Sequence, residues 1–439
     1  MERVDVLILG AGAAGLAAAR RLREAGRRFR LLEARDRIGG RVHTRRDFID
    51  GLPFELGAEF VHGRPESSWR LLAEAGLHAE PVEGAHLCFR EGRLRDCGGG
   101  MEEALGFLAG DNVPDETVGR RLRRARARGE LSPQNAALAA AYVEGFYAAP
   151  LDRAGALPIA EMERASERID GEIAFRVLDG YDTLLRRLFL GLDPASLRLN
   201  TVVREVRWKP GSVEVRAESR TGAGLEPLQA RAALVTLPVG VLQSRRGEPG
   251  ALRFLPEPRE RRAALARVGM GGIVKAVLRF REPFWRRDGE PLAFVHSRRA
   301  GAPVPTWWTL LPREAPLLVG WSAGPAGDAL GFRTEAEQLD AALRSLARLF
   351  SLRRIAVERA LEGWRIADWL ADPYARGGYA WFPPGGTALI RRLGEPVAET
   401  LFFAGEATHP TEAGTVHGAL ETGEREAQRL LTMLGGESG

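Results

Sequence analysis

Residues 4–34, VDVLILGAGAAGLAAARRLREAGRRFRLLEA, read as strand, tight turn, helix and second strand. Val4 to Leu9 form a near-continuous apolar run, as a parallel strand buried on both faces requires. Gly10, Gly12 and Gly15 then make GxGxxG, with Ala14 inside the turn. The first glycine turns the chain, the second lets backbone approach a pyrophosphate, and the third allows close helix–strand packing. The helix that starts here aims its free N–H groups and positive dipole end at phosphates. Glu33 closes the second strand, where a carboxylate accepts from ribose hydroxyls and repels a 2′-phosphate. The stretch predicts a Rossmann-like dinucleotide fold without separating NAD from FAD.

The segments downstream extend the same surface. In EARDRIGGRVHT (33–44), Ala34 and Arg35 follow the acid, and Gly39, Gly40 and Arg41 bring backbone and a guanidinium towards cofactor phosphates. FELGAEFVHG (54–63) places an apolar turn at Gly57 and Ala58, suited to lie against a flat ring.

Composition sets the outer bounds. A chain of 439 residues, 45% hydrophobic and 28% charged, is a folded soluble protein long enough for two domains. A net charge of +5 is no nucleic-acid signature, and the basic run GRRLRRARARG (119–129) lacks interleaved aromatics, so it reads as a solvated helix face. Cys88 and Cys97 could bridge a short loop, but read as ordinary reduced residues of an intracellular protein. No metal-ligand spacing surrounds them. Glu2 and Asp5 stand where a signal peptide is positive, and glycines interrupt the apolar stretch. A cytoplasmic protein without a membrane span is expected.

The middle of the chain holds a helix in NAALAAAYVEGFYAA (135–149), whose Glu144 either faces a channel or is a peripheral, paired acid. GGGMEEALG (98–106) reads as a flexible turn, 180–192 as an amphipathic helix, and 197–208, 212–219 and 233–242 as strands, the last stopped by Pro238. GMGGIVKAVLRFREPFW (269–285) contains Lys275, one of only two lysines among 63 Lys+Arg. Strand alternation puts Ile273, Lys275, Val277 and Arg279 on one face. Arg279 hints at solvent there, Ile273 and Val277 at burial.

In the last third, WRIADWLADPYARGGYAWFPPG (364–385) carries its aromatics among Gly and Pro, and 400–431 reads as strand, loop and helix. With these motifs the chain resembles, over nearly its whole length, the flavin-containing amine oxidases. That family includes monoamine oxidases, polyamine oxidases and lysine-specific histone demethylases. The run W-x-x-D-P-Y-x-x-G-G-Y from Trp369 to Tyr379 is specific to it.

The resemblance implies an α/β architecture. A Rossmann-like FAD-binding domain (1–75, 175–248 and 394–439) would interleave with an α+β substrate domain (76–174 and 249–393). Val203 would lie on the adenine, and Gly405 and Glu406 by the ribityl–phosphate region. The helix from Thr415 and Val416 would point at the flavin N1–C2=O edge, where its dipole stabilises the reduced anion. Lys275 would reach flavin N5 through a water, Tyr379 would wall the amine cage, and Trp381 would add a further wall. Thr415 stands where many members have a second tyrosine. Gly378 stands where monoamine oxidases carry the FAD-linking cysteine, so non-covalent FAD is expected.

Glu59 and His62 favour a cationic substrate over an amino acid, and with Thr415 as a further substrate contact they favour a polyamine-type one. The reaction implied is hydride transfer from the carbon next to nitrogen, hydrolysis of the imine, and reoxidation by O2 to peroxide. Monoamine or L-amino-acid oxidation, a dehydrogenase or desaturase of the same fold, and a flavin-bearing scaffold are the alternatives.

Overall fold

The computed structural model describes every residue except 1, 99, 111, 287–288, 300 and 436–439. The first strand, Glu2–Leu9, pairs in parallel with Phe29–Leu32 on one side and Leu228–Val235 on the other. Leu401–Phe403 adds in parallel to residues 233–235. The antiparallel strands Ser212–Ser219 and Thr201–Lys209 continue the sheet, which ends in Arg253–Leu255 and totals eight strands. This last strand carries the sheet past the boundary expected at 248.

Helices Ala13–Glu24 and Val416–Gly435 cover one face of the sheet. They meet backbone to backbone, because a Cβ on Gly423 would lie 2.2 Å from the Ala14 carbonyl oxygen. Leu420, Ala427 and Leu430 bury the remaining contact stripe, which has the helical period seen in the sequence.

A second sheet of seven strands contains the lysine strand, Ile273–Phe280, between Leu317–Ala323 and Leu361–Asp368. Its alternation has a plain consequence. Val274, Ala276, Leu278 and Phe280 pack under helix Glu335–Leu349, whose N-terminus is closed by a Thr334–Glu337 capping box. Val277 on the opposite face packs with Phe54 and Trp308. Lys275 is therefore turned towards the Gly57 turn, inside the molecule.

Helices Val118–Ala127, Pro133–Phe146 and Ala156–Glu167 form a separate layer with its own apolar core, into which Trp381 is inserted. The basic run is the first of these helices. Its arginines answer Glu116 and Asp152 or stand in solvent, except half-buried Arg121, which donates to the Phe107 carbonyl.

Two expectations are corrected. Cys88 and Cys97 are joined in a disulfide. Strands Ala85–Arg90 and Arg93–Asp96 form a hairpin over Glu91 and Gly92, both at positive φ, and this brings the two Cα atoms to 4.9 Å. The stretch 98–106 is no mere turn, since Met101–Leu105 is helical, as its Met, Glu, Ala and Leu prefer. Among the described residues no helix is long and apolar enough to cross a membrane.

Candidate active site

The glycine turn behaves as its spacing requires. Gly10 sits at φ +107°, and a Cβ on Gly15 would stand 2.0 Å from the Gly10 carbonyl oxygen. Gly40, at φ +59°, lies over Gly12. Glu33 is buried at the strand end, its two oxygens accepting from the backbone N–H groups of Ala11 and Arg35, each at 2.9 Å. Arg35 itself is drawn to Asp372 at 2.8 Å and to the face of Tyr374. Ala34, Gly39 and Val203 line the same cavity.

Glu406 organises the opposite side. Arg41 donates to it at 2.9 Å and to the Gly378 carbonyl at 2.6 Å. The Gly414 and Ala380 N–H groups bond the other carboxylate oxygen, at 3.1 and 3.4 Å. One acid thus links the Arg41 loop, the Tyr379 segment and the approach to the C-terminal helix. Gly405 before it adopts φ +129°, open to glycine.

Thr415 needs correction as a substrate contact. Its hydroxyl donates to the Glu412 carbonyl at 2.7 Å and accepts from the Gly418 N–H at 2.9 Å. It is the N-cap of the helix that starts at Val416.

Lys275 is fully buried. Its Nζ donates to the Gly57 carbonyl at 3.0 Å and to Glu59 at 2.5 Å. Glu59 is itself enclosed: Arg176 donates to its other oxygen, and Trp308 Nε1 bonds that oxygen at 2.9 Å. Burial pushes the Lys275 amine below its ordinary range, against the pull of Glu59. The two cations, Lys275 and Arg176, hold the Glu59 carboxyl low although burial acts the other way. One carboxylate faces two cations here, and only lysine can release a proton. Glu59 was expected to meet a cationic substrate, but both its oxygens are committed to this clamp.

The aromatic wall follows. Tyr379 donates its hydroxyl to the Phe146 carbonyl, and burial pushes the phenol up, so it stays neutral. His62 stands edge-on to Phe146 at 5.3 Å, and burial, with the neighbouring His417, lowers its pKa to about 4. Trp381 packs on Gly269, where a Cβ would be 2.0 Å from its ring, and beneath Arg153. Trp369 donates to the Leu56 carbonyl at 2.8 Å and so pins the Gly57 turn. A Cβ on Gly57 would lie 1.9 Å from the Arg41 carbonyl oxygen, which excludes any side chain.

Gly10, Glu33, Glu406, Lys275, Tyr379 and Glu144 border one continuous cavity of about 2460 Å³. An ordinary small-molecule pocket holds about 300–1,000 Å³, so there is room for a dinucleotide and a substrate together.

The sequence matches the family described as flavin containing amine oxidoreductase over residues 13–166 and 93–431. The chain belongs to this family. It is similar to probable polyamine oxidase 4 of Arabidopsis thaliana, at 28% identity over 97% of this chain and 86% of the relative. It is equally similar, at 28% identity over 98% of this chain and 95% of the relative, to the human peroxisomal N(1)-acetyl-spermine/spermidine oxidase. The solved cyclohexylamine oxidase from Brevibacterium oxydans shares its fold, with TM-score 0.81 and 22% identity over 98% of this chain and 99% of the other.

This amine oxidoreductase is an FAD protein, and its residues fit the cofactor. The glycine cradle that a Cβ would fill and buried Glu33 suit the dinucleotide, and the capped Val416 helix presents N–H groups to an anionic ring edge. Gly378 carries no thiol to link a flavin, and a Cβ there would press on the Ile273 side chain at 1.9 Å. Sequence reading missed Arg176 and Trp308, which complete the clamp on Glu59, and Tyr142, Tyr147 and Glu163 of the helical layer. No local pattern marks Arg176 and Trp308, because each acts on a residue far away in sequence.

Proposed function

We propose that this chain is a non-covalent FAD-dependent oxidase of polyamine-type substrates, passing electrons to O2 with release of hydrogen peroxide. The observation that carries the reading is Lys275, a buried and neutralisable amine held beside the Gly57 turn and bordering the cavity walled by Tyr379. When bound, the flavin accepts the hydride from the carbon next to nitrogen.

The protein's own groups do the rest. The neutral Tyr379 ring and the edge of Phe146 orient the amine, and a π-face guides nitrogen without trapping it. His62, neutral above about pH 4, adds no charge to repel an ammonium. Lys275 holds the proton and water near the reacting edge, with Glu59 fixing its position. The imine then takes up water and separates into aldehyde and amine, or ammonia.

The polyamine preference rests on His62, on half-buried Glu144, whose carboxyl is raised by burial at the cavity wall, and on the polyamine oxidases among the relatives. The aromatic wall also suits a compact monoamine, which is the second reading. A peroxide-coupled screen of spermine, spermidine, putrescine, benzylamine, tryptamine and amino acids tests both. Turnover of amino acids alone sinks the polyamine reading, and flavin reduction by amines without oxygen uptake sinks the oxidase.

A further inference from the structure

Most buried or half-buried acids of this protein sit against arginine or lysine. Glu59 meets Arg176 and Lys275, Glu406 meets Arg41, and Glu426 meets Arg425 and Arg429. Glu163, on helix Ala156–Glu167, does not. It lines the cavity and accepts the Tyr147 hydroxyl at 2.6 Å, and the Tyr142 phenol borders the same cavity. Among the described residues no cation pairs with it. Burying a carboxylate without a cation costs free energy, and the one phenol bonded to it offsets only part of that.

The surroundings are aromatic. Tyr142 stacks on Phe146, with centroids 5.0 Å apart and planes 10° apart, and Tyr147 stands edge-on to both. Phe146 also touches His62, and its carbonyl takes the Tyr379 hydroxyl. A lining of π-faces therefore runs from the flavin-side tyrosine to a carboxylate that has no cation of its own. Ring faces attract ammonium groups, and an apolar methylene chain rests on the same surfaces.

We infer that Glu163, framed by Tyr142 and Tyr147, is the subsite for a second ammonium group of the substrate, so that a dicationic amine is held with one nitrogen there and the other beside Tyr379. The inference rests on the amine-oxidase reading above and deepens it from a preference to a named contact. The Tyr147 phenol orients the carboxylate, and the arriving ammonium supplies the charge that the protein omits.

The test compares two substrates of equal chain length, 1,4-diaminobutane and butylamine, on the FAD-loaded wild type and on Glu163→Gln. The ratio of kcat/KM, diamine over monoamine, is expected to fall at least about tenfold in the variant, the loss of a charged hydrogen bond. Tyr147→Phe should lower it by a smaller factor, mostly through KM. A structural defect would depress both substrates together, and a ratio within twofold of wild type overturns the subsite. If the wild type oxidises only butylamine, the polyamine reading fails and the diamine is assayed as a competitive inhibitor. Weakening of that inhibition by Glu163→Gln then sustains the subsite, and a diamine that does not inhibit overturns it.

Discussion

Lys275 and Glu59 show how much a single pair can decide. The lysine is the slim member of a buried group of two cations and one acid, and its amine is the one that can go neutral. Arginine in its place would keep the charge and bring a planar fork into space shaped for one nitrogen. Lys275→Arg is expected to retain FAD but to slow flavin reoxidation at least about tenfold, read by stopped-flow absorbance. Normal reoxidation would remove the lysine from the chemistry. Glu59→Gln leaves two buried cations facing each other. A loss of about 3–5 kcal/mol in unfolding free energy is expected, measured by urea denaturation, because an uncompensated buried charge is among the costliest defects.

At the scale of elements, the close contact between the first and last helices is the joint that aligns both helix N-termini with the cavity. Gly423 lies against the Ala14 carbonyl with no space for a methyl group. Gly423→Ala should therefore separate the helices, cost about 1–3 kcal/mol, and lower the fraction of FAD retained through purification, read from the flavin-to-protein absorbance ratio. Full retention at wild-type stability would mean that the backbone contact is not what sets the geometry. The Thr415 cap belongs to the same joint, since it closes the last helix where its free N–H groups meet the cavity.

For the whole molecule, buried titrating groups set a stability optimum near neutrality. His43, His62 and His296 are each lowered to about 4, with burial the largest cause. Below the ordinary histidine value of about 6.5, the unfolded chain takes up protons that the folded chain refuses. Their contribution is complete above that value and is lost as pH falls towards 4. Glu55, buried and bonded by Tyr181 N–H and Thr44, is raised to about 7 and has the opposite sign. Its contribution is complete below about 4.5 and is lost as pH rises through 7. A melting temperature that peaks between about pH 6 and 7 and falls on both sides is expected in a calorimetric series. Glu55→Gln should flatten the alkaline side, and an unaltered alkaline limb would exclude Glu55 as its cause.

What the sequence determined by itself was everything carried by near neighbours. The glycines of residues 10–15, Glu33 at the strand end, the alternation about Lys275 and the start of the last helix at Val416 are local patterns, enforced by backbone sterics and periodicity. Only the tertiary structure decided what those residues meet. Lys275 shared a face with both Arg279 and Val277, and long-range packing chose burial. Glu59 looked like a substrate contact until Arg176 and Trp308, distant along the chain, took its oxygens. Thr415 became a cap, and two cysteines that read as reduced were closed by a hairpin register. Charge pairing and side-chain packing act through space, so the missing cation at Glu163 became visible only when the three helices were folded against the cavity.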